Sequence, residues 1–171
     1  MITKDVLDTL FTYCPKTGNM YWKTSRKWTT IKAGDVAGSV DKRSKYRRLR
    51  IPEGRIDCHR AIWIMVYGEI PTGMVIDHID HDRGNNKLDN LRVTTNRGNG
   101  TNLKLNPLNK SGATGVCWDK SREKWAVHIR TGGGKKKTVG RFSSFEEAVE
   151  ARMVANRVYG YHKNHGRSDE K

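Results

Sequence analysis

Apolar positions along the chain change period several times, and each change marks an element. Val6, Leu7, Leu10 and Phe11 share one face at helical spacing, so residues 3–11 read as a short helix. Pro15-Lys16-Thr17-Gly18 then turns the chain into a strand beginning Met20-Tyr21-Trp22. From Lys45 to Ile51 the period is two: Tyr46, Arg48 and Arg50 face one way and Arg47, Leu49 and Ile51 the other, a half-buried strand with a basic face. Ile62, Met65 and Val66 predict a helix over residues 59–67, opened near Asp57 or Cys58 and stopped by Gly68. Pro71-Thr72-Gly73 leads into a strand, Met74 to Ile76, that delivers Asp77 and His78 at its end. Residues 80–89 are too polar for a core and form a loop, and Leu91-Arg92-Val93 is the return strand. Thr94 or Thr95 caps a following helix containing Asn99, which Gly98 and Gly100 weaken by about 1 kcal/mol each.

Residues 105–113, Leu-Asn-Pro-Leu-Asn-Lys-Ser-Gly-Ala, have linker composition and divide residues 1–104 from residues 114–160. Beyond them, residues 116–118, 124–130 and 136–142 are strands separated by Ser121-Arg122-Glu123 and Gly132-Gly133-Gly134, an antiparallel sheet. Ser144 and Glu147 fit a capping box. The stripe Phe145, Ala148, Val149, Ala155, Val158 and Tyr159 then covers one sheet face before Gly160 ends the helix, and residues 161–171 are a polar tail. The fold class is α+β: a small N-terminal α/β region running into a strand-strand-helix motif, then a three-stranded sheet on one helix.

Charge adds a partner to this outline. The chain has 171 residues and a net charge of +15, of which residues 1–106 carry +8 and residues 107–171 carry +7. Both halves are therefore built to meet a polyanion. A hydrophobic share of 35% with five tryptophans argues against a wholly disordered chain. There is no run of 18 apolar residues, and Met1-Ile2-Thr3-Lys4-Asp5 does not open a signal peptide, so an intracellular protein with no membrane partner is expected. Cys14, Cys58 and Cys117 are odd in number and far apart, which reads as free thiols.

Candidate chemistry concentrates in Asp77-His78-Ile79-Asp80-His81-Asp82, Asn85-Asn86, Asp89-Asn90 and Asn99. Phosphodiester hydrolysis needs a base for water and a cation for the charge on phosphate and leaving oxygen. His78 serves as a base near neutral pH, and Asp77 offers oxygen to a hard divalent ion. Adjacent on a strand, the two point to opposite faces and take different jobs. An oxygen-lined site suits one Mg2+ or Mn2+ better than zinc, with Asn99 as second ligand. Read without chemistry, the same carboxylates are solvated loop residues and the asparagines are turn formers.

On these residues, 47–102 resemble the HNH nucleases, in the asparagine-ended form common among phage and intron-encoded endonucleases. The Asp-His pair matches Asp77-His78, the central asparagine Asn90, the last metal-binding position Asn99, and the preceding Asn-Asn pair Asn85-Asn86. The resemblance implies a strand-strand-helix cradle around one divalent ion, inserted at the minor groove of double-stranded DNA. His78 would activate water, Asp77 and Asn99 would hold the metal, and Asn90 would brace the loop so that the imidazole is aimed. The products would be a 3′-hydroxyl and a 5′-phosphate, and the setting the cytoplasm of an infected or host bacterial cell. His81 stands where the family more often has a small turn residue; His59, His162 and His165 have no partners at a persuasive spacing.

Residues 111–160, through Gly115-Val116, Trp125, Ile129-Arg130, Gly140 and Phe142, resemble the plant Apetala-type DNA-binding domain. That resemblance implies a sheet in the major groove with the helix on its back; Cys117 and Asp119 depart from the arginines of that family's first strand. Trp118, Lys120, Arg122, Lys124, Trp125, Arg130, Lys136 and Lys137 are the candidate DNA contacts here, joined by Arg47, Arg48, Arg50, Arg55 and Arg97. Trp118 and Trp125 read equally as structural. The expected activity is a site-preferring nickase of the homing type, a monomer on DNA with a dimer as the route to a double-strand break. The alternatives are a DNA-binding protein or repressor with a silent nuclease module, and a basic RNA-binding protein, which accounts for the charge and not for the Asp/His/Asn spacing.

Overall fold

Thr3 opens the first helix, α1 (Lys4–Leu10), where its hydroxyl accepts from the Val6 amide at 3.4 Å. The computed structural model describes residues 2–27, 29–131 and 134–168, so Gly132 and Gly133 of the expected turn and residues 169–171 of the tail lie outside the described residues. The chain divides into two units, Met1–Asn96 and Arg97–Lys171, each with mixed helix and antiparallel strand as an α+β chain requires.

In the first unit α1 runs directly into β1 (Phe11–Cys14), which pairs antiparallel with β2 (Asn19–Trp22). Phe11, expected on the helix stripe, is the first residue of β1 instead. Its register partner is Trp22 and its ring packs on that indole at 4.5 Å, a nonlocal pairing that outweighs its helical spacing from Leu7. β3 (Ser39–Val40), β4 (Arg47–Ile51) and β5 (Gly54–Asp57) form an antiparallel sheet in that order. β4 shows the expected alternation, with Leu49 and Ile51 buried and Arg50 exposed. β3 and β5 carry too few apolar residues to announce themselves.

α2 (Cys58–Tyr67) follows β5 with Asp57 at its N-cap and Gly68 at its C-cap. Its buried face is Cys58, His59, Ala61, Ile62 and Met65, whereas Val66, expected on that face, is exposed. β6 (Met74–His78) and β7 (Leu91–Thr95) make a long-looped hairpin, and Ile76 and Leu91 anchor it in the core of Leu7, Phe11, Met20, Leu49 and Ile62. Fully burying each such side chain contributes about 1.5–3 kcal/mol, so the hairpin is held rigidly at its base.

The division between units falls in the five-residue helix α3 (Asn96–Gly100). In the second unit β8 (Val116–Asp119), β9 (Lys124–Arg130) and β10 (Lys136–Phe142) form an antiparallel sheet with β9 central. α4 (Phe145–Val158) packs on it, and Ser144 caps α4 by accepting from the Glu147 amide at 3.1 Å, as the capping pattern predicts. The core is Val116, Val127 and Ala148, with Trp125, Phe142 and Phe145 against it. Of the expected stripe, Val158 is 74% exposed, while Arg152 is buried within that stripe and donates to the His128 carbonyl. Residues 105–113 are tied into this unit: the Leu105 amide donates to the Arg167 carbonyl at 3.1 Å, and Ser111 Oγ donates to the Val116 carbonyl at 2.7 Å.

Candidate active site and nucleic-acid face

The β6–β7 register places Asp77 opposite Arg92 and His78 opposite Leu91. Asp77 and His78 point to opposite faces, and both are buried, at 8% and 3% exposure. On one face Arg92 donates from Nε and Nη2 to Asp77 Oδ2, at 3.1 and 2.9 Å, which fixes the carboxylate. Arg92 was not among the expected site residues; antiparallel pairing of the two strands puts opposite charges face to face there.

On the other face His78 Nε2 lies 2.9 Å from Oδ1 of Asn86, itself 2% exposed. An amide oxygen can only accept, so this contact favours, for a neutral ring, the tautomer with its proton on Nε2 and its lone pair on Nδ1, the form a general base requires. The ring meets His59 edge-on at 4.9 Å between centroids, and Tyr46 packs on both imidazoles, 4.8 Å from His59 and 5.8 Å from His78. Arg83 stacks over Tyr46 at 4.7 Å. Burial first, then the neighbouring His78, Arg60 and Arg83, push the His59 imidazole down to about 3, so it is neutral at physiological pH. His59 has thus acquired partners that its position in the sequence did not reveal.

Asn90, expected to brace the loop, spans it. Its Oδ1 accepts from the Asp80 amide at 3.0 Å, and its Nδ2 donates to Asp80 Oδ1 and to the Asn85 carbonyl, both at 2.8 Å. Burial works to raise the Asp80 carboxyl, and hydrogen bonds from the Asn85 side chain, the Asp82 amide and the Asn90 side chain outweigh it, leaving Asp80 below the ordinary range. Asp80 is therefore an ionised loop clamp. His81, where a small residue was expected, adopts a left-handed φ of 69°. Asn99 lies in α3 within the second unit, half-buried, its carbonyl accepting from the Asn102 amide at 3.0 Å.

The candidate DNA contacts separate by geometry. In the first unit Arg50 and Arg55 are exposed register partners on β4 and β5, while Arg47 donates to the Gly38 carbonyl at 2.7 Å and Arg48 to Asp57 at 2.8 Å. In the second unit the register puts Lys124, Arg130 and Lys136 on the sheet face away from α4, together with His128 and Arg141. Trp118, Trp125 and Lys137 share the helix-side face: Trp125 packs on Phe145 at 4.8 Å and on Trp118 at 5.2 Å, and Lys137 Nζ donates to Tyr159 Oη at 2.9 Å. Arg141 reaches the open face because the register shifts between Thr138 and Gly140, a bulge that alternation alone does not predict. Arg141 and Arg122 both meet Asp119, at 3.0 and 3.4 Å. Hydrogen bonds from Ser121 and Arg141, outweighing burial, hold the Asp119 carboxyl down at about 2. Lys120 and Arg97 are exposed.

This buried Asp-His pair on a hairpin closed by asparagines coincides with a family match. Residues 58–101 match the HNH endonuclease family. Protein 3.8 of Escherichia phage T7 is 43% identical over 75 residues, covering 44% of this chain and 62% of that protein. An uncharacterized HNH endonuclease, L560, of Acanthamoeba polyphaga mimivirus is 40% identical over 60 residues, covering 34% of this chain and 32% of its own length. The chain thus spans under two thirds of the curated relatives it matches. Among solved structures, the HNH homing endonuclease I-HmuI aligns over 95% of this chain and 93% of its own at 21% identity, with a TM-score of 0.38, too low to equate the two folds. The matched segment runs from the start of α2 to just past α3, so it includes His59, Asp77, His78, Asn86, Asn90 and Asn99.

Proposed function

We propose that the chain is a divalent-metal-dependent endonuclease that hydrolyses phosphodiester bonds in double-stranded DNA, nicking one strand in the manner of a homing-type enzyme. The observation that carries this reading is the buried Asp77-His78 pair on β6, inside the HNH match, with the imidazole anchored through Nε2. His78 Nδ1 takes the proton from the attacking water. Asp77 would offer its carboxylate to the cation, and Asn99 is the second ligand that the family resemblance implies; a carboxylate and an amide carbonyl are hard oxygen donors, which fit Mg2+ or Mn2+. When bound, that ion stabilises charge on the phosphate and the leaving oxygen. Asn90 keeps the loop closed, and Arg92 keeps the Asp77 carboxylate oriented.

The second unit docks the duplex in this reading. Its three-stranded sheet backed by one helix is compatible with the Apetala-type resemblance, and Lys124, Arg130 and Lys136 on the open face would meet phosphates or base edges. Arg50 and Arg55 would add phosphate contacts from the first unit. One catalytic cluster per chain makes a nick the expected product of a monomer, acting in the cytoplasm of an infected bacterial cell. A silent, DNA-gripping module is the second reading, favoured by the Arg92 ion pair on Asp77, which competes with a cation. Supercoiled-plasmid nicking with magnesium decides between them. Wild type should cut and His78→Ala should lose at least about 100-fold; equal cutting by the two proteins would refute the assignment of His78, and no cutting by wild type would favour the silent module.

A further inference from the structure

The amide that meets His78 is held in place from outside the HNH match. Tyr13 on β1 donates its hydroxyl to the Asn86 carbonyl at 3.2 Å. Burial, the largest influence on the Tyr13 phenol, moves it above its ordinary value and keeps it a donor at neutral pH. One turn further on, Gly18 takes φ 73° and closes the β1–β2 turn through its amide to the Cys14 carbonyl at 2.9 Å. Gly18 sits so close to the loop that a Cβ there would fall 2.8 Å from the Lys87 nitrogen and 2.9 Å from the Asn86 carbonyl carbon. On its other side the Asn86 amide donates to the Gly84 carbonyl at 3.1 Å. The Asn86 backbone is therefore pinned by a hairpin from residues 11–22 and by its own loop.

We infer that Asn86 is the positioning residue for His78, and that the β1–β2 hairpin completes the nuclease site by clamping Asn86. The inference rests on His78 being the base. An acceptor at Nε2 selects the tautomer with its lone pair on Nδ1 and locks the ring about its χ angles. Without it the imidazole samples the other tautomer, whose Nδ1 carries a proton and takes none from water. A rigid scaffold for Asn86 matters because misplacement of a reacting group by about 1 Å costs up to about 100-fold in rate.

The test uses the full chain with 15N-labelled histidine at one fixed neutral pH, together with single-turnover nicking and DNA-binding measurements. Wild type should show His78 with protonated Nε2 and imine-type Nδ1 shifts. Asn86→Leu, which removes the acceptor at similar volume, should mix the tautomers and slow cleavage about tenfold or more, with DNA affinity unchanged within about twofold. Asn86→Asp, which restores an acceptor, should recover the tautomer and most of the rate. Gly18→Ala, a substitution outside the HNH match that presses on the Asn86-Lys87 backbone, should slow cleavage in the same direction. Asn86→Leu with wild-type ring shifts and wild-type cleavage would overturn the inference. If Asn86→Leu does not fold, Asn86→Asp and Gly18→Ala decide it: wild-type rate in Gly18→Ala refutes the clamp, and tautomer mixing in Asn86→Asp refutes the acceptor. A wild type that never nicks refutes the nuclease reading instead, and the ring shifts still decide whether Asn86 sets the tautomer.

Discussion

His59 provides a sharp physical test because its proton links the fold to pH. The imidazole is 5% exposed and packed on Tyr46 and His78, with Arg60 and Arg83 near enough to disfavour a positive charge. Its folded value of about 3 lies below the 6.5 of a free histidine, so on acidification the unfolded chain binds a proton that the folded chain refuses. The stabilisation is complete above about pH 6.5 and is lost as pH falls from there toward 3. Within that window the slope is about 1.4 kcal/mol per pH unit, which gives about 2 kcal/mol between pH 6.5 and 5. Carboxylates contribute little there, because their unfolded values lie lower. Urea denaturation at pH 7.5 and 5.0, followed through methyl resonances of Leu49 and Ile62, measures the loss in the first unit. His59→Phe keeps a ring against Tyr46 and removes the proton, while His78 stays common to both proteins. Wild type should lose about 2 kcal/mol more than His59→Phe on acidification; equal losses, within about 0.5 kcal/mol, would show that His59 accepts a proton in the fold and would refute the reasoning.

Three further outcomes are expected. Leu49→Ala empties a fully buried position between β4 and the α2 core and should cost about 2–5 kcal/mol by urea denaturation; a loss under about 1 kcal/mol would contradict its burial. Gly115→Ala meets a φ of 78° and a Cβ driven into the Arg152 guanidinium and the His128 carbonyl, so it should destabilise the second unit by more than about 1 kcal/mol in thermal unfolding followed by near-UV circular dichroism. Lys124→Ala, Arg130→Ala or Lys136→Ala should each weaken duplex binding and, for a phosphate contact, lower the slope of log K against log salt by about 0.9. Lys137→Ala, whose ammonium is on the helix side with Tyr159, should leave that slope unchanged; the reverse ranking would place the duplex on the other face.

The elements that could be read from the chain are those whose information is local. The alternation of Arg48, Leu49, Arg50 and Ile51 marks a strand by itself, and Ser144 with Glu147 marks a helix start, because period and capping depend on neighbours a few residues apart. Asp77, His78 and Asn90 likewise stand out as candidates because they lie on one hairpin and its loop. Tertiary structure decided whatever needed a distant partner. Phe11 satisfies the helical stripe and leaves it for Trp22; Arg152 enters an apolar stripe because the His128 carbonyl receives it; a bulge turns Arg141 to the open face. His59 looked idle until α2 laid it against His78, and nothing near Asn86 in sequence foretold Tyr13 and Gly18 pressing on its backbone. Sequence pattern records which groups a chain carries and its short-range geometry, whereas the partner, the burial and hence the protonation of each group are set by contacts between segments that only folding brings together.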